Sequence, residues 1–88
     1  MYKIRILEEA RRELNKLPNS IVKRVIKRIK WFGENFDNVH LEPLKGKLSG
    51  FYKLRIGNYR IIYEVIRNEK IVLIHAIGHR KDVYRIKD

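Results

Sequence analysis

The second half of the chain constrains the fold most, because three apolar runs there are separated by only a few polar residues. The runs cover residues 51–56, 59–66 and 70–77, and Gly57-Asn58 and Asn68-Glu69 stand between them. Asparagine and glycine accept the positive φ angles of tight hairpin turns. The pattern predicts an antiparallel meander of three strands, in which the last and most apolar run is an interior strand covered on both faces.

The first half of the chain predicts one short strand and two helices. Residues 2–7 alternate apolar and basic side chains, with the period of a half-buried strand. From residue 8 to residue 17 the apolar side chains recur at helical spacing behind an acidic first turn, and Pro18 ends the segment. Asn19 or Ser20 is expected to cap a second helix that runs to about residue 36 and has one apolar and one basic face.

The predicted element order is β-α-α-β-β-β, with a loop over residues 37–50. A chain of 88 residues supports one core, so residues 1–88 are expected to form a single domain. We expect an α+β fold in which two helices pack on one face of a four-stranded, mainly antiparallel sheet. No apolar run approaches the ~20 residues of a membrane span. No signal peptide is visible either, so a cytoplasmic protein without a membrane partner is expected.

The charge of the chain indicates a polyanionic partner. The sequence has 21 Lys and Arg against 10 Asp and Glu, which gives a net charge of +11 and a pI near 10.2. Such a surface attracts nucleic-acid phosphates and releases their counterions. An acidic protein partner, a lipid headgroup surface or simple solubility would account for the same charge. Because no long block of consecutive basic residues occurs, we expect the charge on the surface of a fold and not in an unfolded tail.

Several cations are predicted to share the sheet face that the helices leave open. Alternation puts Lys53 and Arg55 on one side of their strand, roughly 6.5–7 Å apart, and Arg60 projects from the next strand. A short basic segment with Arg80 and Tyr84 follows the last strand. Cations at the ends of consecutive strands, beside a tyrosine, would form a phosphate cradle with a platform for base stacking. The alternative is a set of solvated charges on an outer sheet face.

Other catalytic schemes fit the residues poorly. The chain has no cysteine, its carboxylates do not cluster, and His75 and His79 stand four apart at a strand end, so no metal site is predicted. Ser20 and Ser49 are the only serines, and neither stands in a triad pattern. No glycine-rich phosphate-binding motif occurs. No cofactor is expected, which leaves the chemistry to cations and to groups of the substrate or water.

Three further runs of sequence form a family pattern. They are EPLKGKLSGFYKLRI at residues 42–56, GNYRIIYEV at residues 57–65 and GHRKDVY at residues 78–84. Together with the opening YKI strand, they resemble the RelE toxins of the RelE/ParE superfamily over essentially the whole chain. The resemblance implies an mRNA interferase from a type II toxin–antitoxin pair. Such a protein is a metal-independent endoribonuclease that cleaves mRNA on the ribosome by attack of a ribose 2′-oxygen on the adjacent phosphate.

The resemblance also implies catalytic roles for five residues. Lys53 and Arg55 correspond to the basic pair beside the reacting phosphate. Arg60 and Arg80 correspond to arginines that hold phosphate and support the leaving oxygen. Tyr84 corresponds to the aromatic residue that orients and stacks the nucleotide.

RNA contacts are implied for Lys45, Lys47 and His79. His79 stands where some members of the family have a histidine or lysine that acts at the same phosphate. Glu42 stands where the YoeB branch of the family has a glutamate that serves as the base. The general base is therefore open between Lys53, His79 and Glu42.

The partners that the resemblance implies are mRNA, the ribosome and a small acidic antitoxin of the RelB type. Two alternatives to the nuclease remain. A ParE-like toxin would act by binding a protein, gyrase, without cutting RNA, although such members generally lack the cations and the tyrosine found here. A plain basic RNA-binding module would bind RNA and leave it intact.

Overall fold

In the computed structural model, which describes residues 1–84, two helices pack on one face of a mixed sheet. The elements are β1 (Lys3–Ile6), α1 (Glu8–Asn15), α2 (Asn19–Glu34), β2 (Glu42–Pro43), β3 (Tyr52–Ile56), β4 (Tyr59–Ile66) and β5 (Ile71–His79). The strand order is β1-β5-β4-β3-β2, with β1 parallel to β5 and the other pairs antiparallel. The predicted α+β class, the helices on one face and the β3–β4–β5 meander are confirmed.

The sheet has five strands and not the predicted four, because residues 37–50 are not one continuous loop. Glu42 and Pro43 pair with Lys53 and Tyr52 at the edge of the sheet. Proline has no N–H to donate, and an edge strand is where a sheet accepts it. A strand of two residues is too short to show alternation, so the sequence carries no periodic signal for it.

Two predictions at the ends of elements were wrong. The helix α2 begins at Asn19 itself, with Pro18 in the cap position, and no side chain caps it. The expected cap at Asn19 or Ser20 therefore does not form, and the carbonyl of Pro18 accepts the first helical bonds. The connection from β4 to β5 spans residues 67–70 instead of a two-residue turn, and Lys70 adopts a positive φ of 54° there.

The main core lies between the helices and the sheet. It collects buried side chains from both helices, from the turn after α2 and from β3, β4 and β5, and they are Ala10, Leu14, Val25, Ile29, Phe32, Phe36, Ile56, Ile61, Tyr63, Val72, Ile74 and Ile77. Burial of a large aliphatic or aromatic side chain contributes roughly 1.5–3 kcal/mol. The strand β5 lies between β1 and β4, so its predicted interior position is confirmed.

The opposite face of the sheet, called the open face below, carries a second and smaller core. Ile62 and Ala76 are buried on it together with Val83, which folds back after β5. Leu44 and Phe51 pack at its margin. This small core holds the segment after β5 against the sheet. In the described part of the chain, neither helix is long and apolar enough to cross a membrane.

Candidate functional site

Lys53 and Arg55 project from the open face of β3, and β2 brings a carboxylate to them. Glu42 is the strand partner of Lys53. Its Oε2 lies 3.2 Å from Arg55 Nε and 4.0 Å from Lys53 Nζ. Partly exposed ion pairs of this kind stabilise a fold by only about 0–1 kcal/mol. One carboxylate facing two cations leaves the cluster net positive and open to an anion.

Arg60 and Arg80 meet at the tight turn between β3 and β4, which the sequence predicted correctly. Arg60 Nη1 donates to the carbonyls of Gly57 at 2.8 Å and Tyr59 at 2.9 Å. The backbone N–H of Arg80 donates to the carbonyl of Asn58 at 2.8 Å. Gly57 has a φ of 58°, a conformation that glycine adopts without strain. The turn therefore orients one guanidinium and anchors the first residue after β5.

Strand register joins these two clusters into one row. Arg55 is the partner of Arg60, and Arg60 is the partner of Gly78 on β5. Directly opposed residues share a face, with Cβ atoms ~4.5–5.5 Å apart. A Cβ on Gly78 would lie 3.8 Å from the Cβ of Val83, so the segment after β5 packs against the open face at this position. Tyr84 comes next in the chain and is 40% exposed.

His79 is not brought to these cations. Its strand partner is Tyr59, which lies on the helix-covered side of the sheet together with the partner pair Ile61 and Ile77. The imidazole packs edge-on against Tyr59 with ring centroids 5.7 Å apart, and its Nδ1 accepts the Lys81 N–H at 3.2 Å. A shift of register between β4 and β5 decides which face of the sheet His79 lies on, and the sequence did not reveal this shift.

The two loop lysines, Lys45 and Lys47, are exposed between β2 and β3. The N–H of Leu44 donates to the carbonyl of Phe51 at 2.9 Å, which ties the loop to the sheet. Lys45 and Lys47 therefore lie near the end of the open face where β3 begins, away from the turn that holds Arg60.

The open face also carries a hydrogen-bonded pair of side chains that sequence reasoning did not identify. His75 Nε2 and Glu64 Oε1 are 2.7 Å apart, and Phe51 packs edge-on against the imidazole with ring centroids 4.8 Å apart. Alternation along β4 predicts that Glu64 lies on the open face. It does not predict that His75 lies there too, because the pairing of β4 with β5 shifts register next to His75. In residues 1–84, no three His, Asp, Glu or Cys side chains lie close enough to hold a metal ion.

A cavity of about 340 Å³ opens where the α2 helix passes the edge of β3. Its wall includes Glu42, Lys53 and Arg55 from the sheet and Arg28 and Trp31 from the helix. Sequence reasoning placed Arg28 on the basic face of the helix and gave Trp31 no role. The sequence did contain a signal for this contact. Arg28 and Trp31 stand three residues apart, and that spacing brings two side chains together on one side of a helix.

Tyr63 also lines this cavity. Burial raises the pKa of its hydroxyl well above the usual range, and the Tyr52 hydroxyl and the Glu42 carboxylate add to the effect. Tyr63 therefore stays neutral at physiological pH and is a residue of the main core.

Comparison with known proteins places the chain in a family. Residues 4–84 match the family of the ParE toxin of the type II toxin–antitoxin system parDE. Toxin RelG of Mycobacterium tuberculosis is 34% identical over 86 residues, which cover 96% of this chain and 97% of that protein. The chain therefore belongs to the RelE/ParE superfamily of type II toxin–antitoxin systems, as a RelE-type toxin.

Solved structures agree with this assignment. The toxin–antitoxin complex RelBE2 from M. tuberculosis contains a chain that aligns with a TM-score of 0.80 and 31% identity, over 90% of this chain and 98% of that one. The isolated RelE toxin of Escherichia coli aligns with a TM-score of 0.73 over 90% of this chain and 84% of that one. Its identity is 23%, so this second likeness concerns the fold alone.

Proposed function

We propose that this toxin is a metal-independent endoribonuclease that cleaves mRNA on the ribosome. The observation that carries the proposal is the row of cations at one end of the open face. Lys53 and Arg55 lie on β3, Arg60 is in register with Arg55, and Arg80 is anchored at the same turn. Cations fixed in this way suit the negative charge that collects on phosphate oxygens during phosphoryl transfer. The exposed ring of Tyr84 beyond them can stack on a base.

The proposed reaction is the attack of a ribose 2′-oxygen on the adjacent phosphorus. The bond from the 2′-oxygen to phosphorus forms as the bond to the 5′-oxygen breaks, which yields a 2′,3′-cyclic phosphate and a 5′-hydroxyl. Arg60 and Arg80 bind the non-bridging oxygens, because a guanidinium offers paired N–H groups with matching geometry. Contacts that strengthen as charge develops lower the barrier instead of only tightening substrate binding.

Glu42 is proposed as the base and Lys53 as the proton donor. The Glu42 carboxylate contacts Lys53 and Arg55 directly, whereas His79 projects from the other side of the sheet. Glu42 takes the proton of the 2′-hydroxyl, and the Lys53 ammonium gives one to the departing 5′-oxygen. Arg55 keeps its charge throughout and balances the developing phosphorane.

A RelB-type antitoxin is proposed as the protein partner. The structural relative from M. tuberculosis is a toxin–antitoxin complex. A net charge of +11 suits an acidic binding segment, which also accelerates encounter. Expression of the chain alone should arrest growth, and co-expression of a small acidic protein encoded beside it should restore growth. Normal growth at confirmed expression of the folded chain would contradict a toxin acting by this route.

The direct test is cleavage of mRNA bound to purified ribosomes. We expect products with a 2′,3′-cyclic phosphate, and no cleavage where the nucleotide on the 5′ side of the scissile phosphate is 2′-deoxy. Cobalt hexammine in place of part of the magnesium keeps ribosomes assembled but does not coordinate substrate directly. Loss of cleavage on intact ribosomes under that exchange would show that the chemical step uses a metal ion.

The match to the ParE toxin family favours a second candidate. In that case the chain acts by binding a protein such as gyrase and leaves RNA intact. A variant in which Lys53, Arg60 and Arg80 are all replaced by alanine separates the two. A nuclease loses its toxicity with its cations, whereas a toxin that acts through another surface keeps it.

A further inference from the structure

We propose that the cavity between α2 and the edge of β3 is a second nucleotide subsite, in which a base of single-stranded RNA stacks on Trp31. The inference rests on the proposed nuclease function, since it adds a subsite beside the nucleotide held at Lys53 and Arg55. Both of those residues line the cavity as well. A chain of RNA held at the cations therefore reaches Trp31 without crossing another part of the fold.

The cavity exists because the β2 strand is short. Its pairing with β3 covers Pro43↔Tyr52 and Glu42↔Lys53, so the rest of β3 has no neighbouring strand on this side in residues 1–84. The helix α2 passes above that free edge and encloses about 340 Å³. Small-molecule sites span roughly 300–1,000 Å³, so the space suits one nucleotide and is too small for a helix.

Trp31 is placed as a stacking residue and not as a core residue. The buried positions of α2 are Val25, Ile29, Phe32 and Gly33, and Trp31 lies beside that stripe with 43% of its surface exposed. The guanidinium of Arg28 lies 4.8 Å from the ring centroid, which is a cation–π distance. An exposed indole beside a cation is the combination that binds bases of single-stranded nucleic acids.

The charges around the cavity favour RNA over an acidic peptide. Three cations line the cavity, Arg28, Lys53 and Arg55, against the single carboxylate of Glu42, and His40 lines the same space. An acidic peptide would satisfy these charges but would leave the indole unused. A nucleotide presents both a phosphate for the cations and a planar base for Trp31.

Trp31 is the only tryptophan of the chain, so its fluorescence reports directly on the cavity. The probe is a six-residue oligoribonucleotide that is fully 2′-O-methylated and cannot be cleaved. We expect saturable quenching of Trp31 fluorescence at the same concentrations at which a labelled copy of the probe gains anisotropy. An abasic ribose-phosphate oligomer of equal length should bind by charge and leave the fluorescence unchanged.

Variants at the same position separate stacking from charge. Trp31→Ala should weaken binding of the probe about tenfold, because stacking on an aromatic side chain is lost. Trp31→Phe keeps a ring and should stay within about threefold of the original affinity. Lys30→Ala removes an exposed cation next to Trp31 but outside the cavity, and it serves as the matched control.

Three results would overturn the subsite. They are binding of the probe without quenching, equal quenching by the abasic oligomer, and quenching by a poly-glutamate peptide but not by the probe. The last result would assign the cavity to a protein ligand. Cleavage assays report on the nuclease separately. Quenching without any cleavage on ribosomes would reject the proposed reaction but support the subsite. Cleavage without quenching would support the reaction and reject the subsite.

Discussion

The two faces of the central sheet share one backbone and differ in almost everything else. The main core packs on the helix-covered face, and six of its twelve buried residues belong to the sheet. The small core of the open face buries Ile62, Ala76 and Val83, and charged side chains surround it. Successive residues of a strand point to opposite faces, so each strand contributes to both surfaces. Strand β3 shows this directly, because Leu54 packs on the main core between two residues of the cation cluster.

The difference shows how a small domain can separate stability from chemistry. Cations concentrated on one surface repel each other and would be costly in a core. On the open face they remain in contact with solvent, and the small core only has to hold the segment after β5 in place. Substitutions on the helix-covered face should therefore change the free energy of unfolding, and substitutions on the open face should change the rate of cleavage.

The largest effects are expected from the proposed proton-transfer pair. Lys53→Arg keeps a positive charge but removes a group that can give up its proton, and Glu42→Gln removes the base. Each should lower the bound-state cleavage rate by about 10²-fold or more, because general acid–base catalysis contributes roughly 10²–10⁴-fold. Single-turnover cleavage on ribosomes measures this. Full activity in Lys53→Arg would reduce Lys53 to an electrostatic role, and His79→Gln would then be the next variant to measure.

A core residue on the helix-covered face should show the opposite profile. Ile74 is buried on that face, and Ile74→Ala should lower the free energy of unfolding by about 2–5 kcal/mol. Denaturant titration measures the change. Ile26→Ala is the control, since Ile26 is 51% exposed on α2 and should change stability by no more than about 0.5 kcal/mol. A similar loss in both variants would show that burial on this face does not govern stability.

The two arginines that we propose bind phosphate come next. Arg80→Ala should lower the cleavage rate by ~10²-fold while RNA binding falls only modestly, because its charge acts mainly in the transition state. Arg60→Ala should do the same, with an added loss of stability from its two bonds to the turn. Arg67→Ala, in the connection just after β4, is the matched control. Equal losses in cleavage from Arg67 and Arg80 would mean that only the total charge matters.

Val83 tests whether the small core serves the site. Val83→Ala removes two buried methyl groups and should lower the free energy of unfolding by about 1–2 kcal/mol. Because Val83 lies between Arg80 and Tyr84, cleavage should also fall, by roughly tenfold, as that segment loosens. Unchanged cleavage at the lower stability would show that the segment is positioned by its backbone bonds alone.

The smallest effect is expected from the basic face of α2. Replacing Lys23 and Lys27 by alanine should weaken RNA binding and flatten its dependence on salt, with little change in the bound-state cleavage rate. Arg24 is left intact, because its guanidinium lies against Gly57 in the turn that also binds Arg60. Cleavage abolished by the two lysine changes would place the active site on the helices instead of the sheet.

The sequence by itself determined the parts of this protein that depend on local patterns. Alternation and turn residues are enough to place three strands, to align them as a meander around Gly57-Asn58, and to put Lys53 and Arg55 on one face. Helical spacing in turn marks the two helices and the stripe that packs on the sheet. These features follow from the backbone geometry of a few neighbouring residues, which is why they can be inferred without tertiary contacts.

Tertiary structure alone decided how the charged side chains meet. Glu42 reaches Lys53 and Arg55 through a two-residue strand that has no periodic signal. His79 lies on the helix-covered side because pairing in the sheet shifts register next to His75. The cavity at Trp31 arises where a helix passes a sheet edge. Each of these arrangements depends on the pairing of segments far apart in the chain, and the period of a segment does not specify its partner.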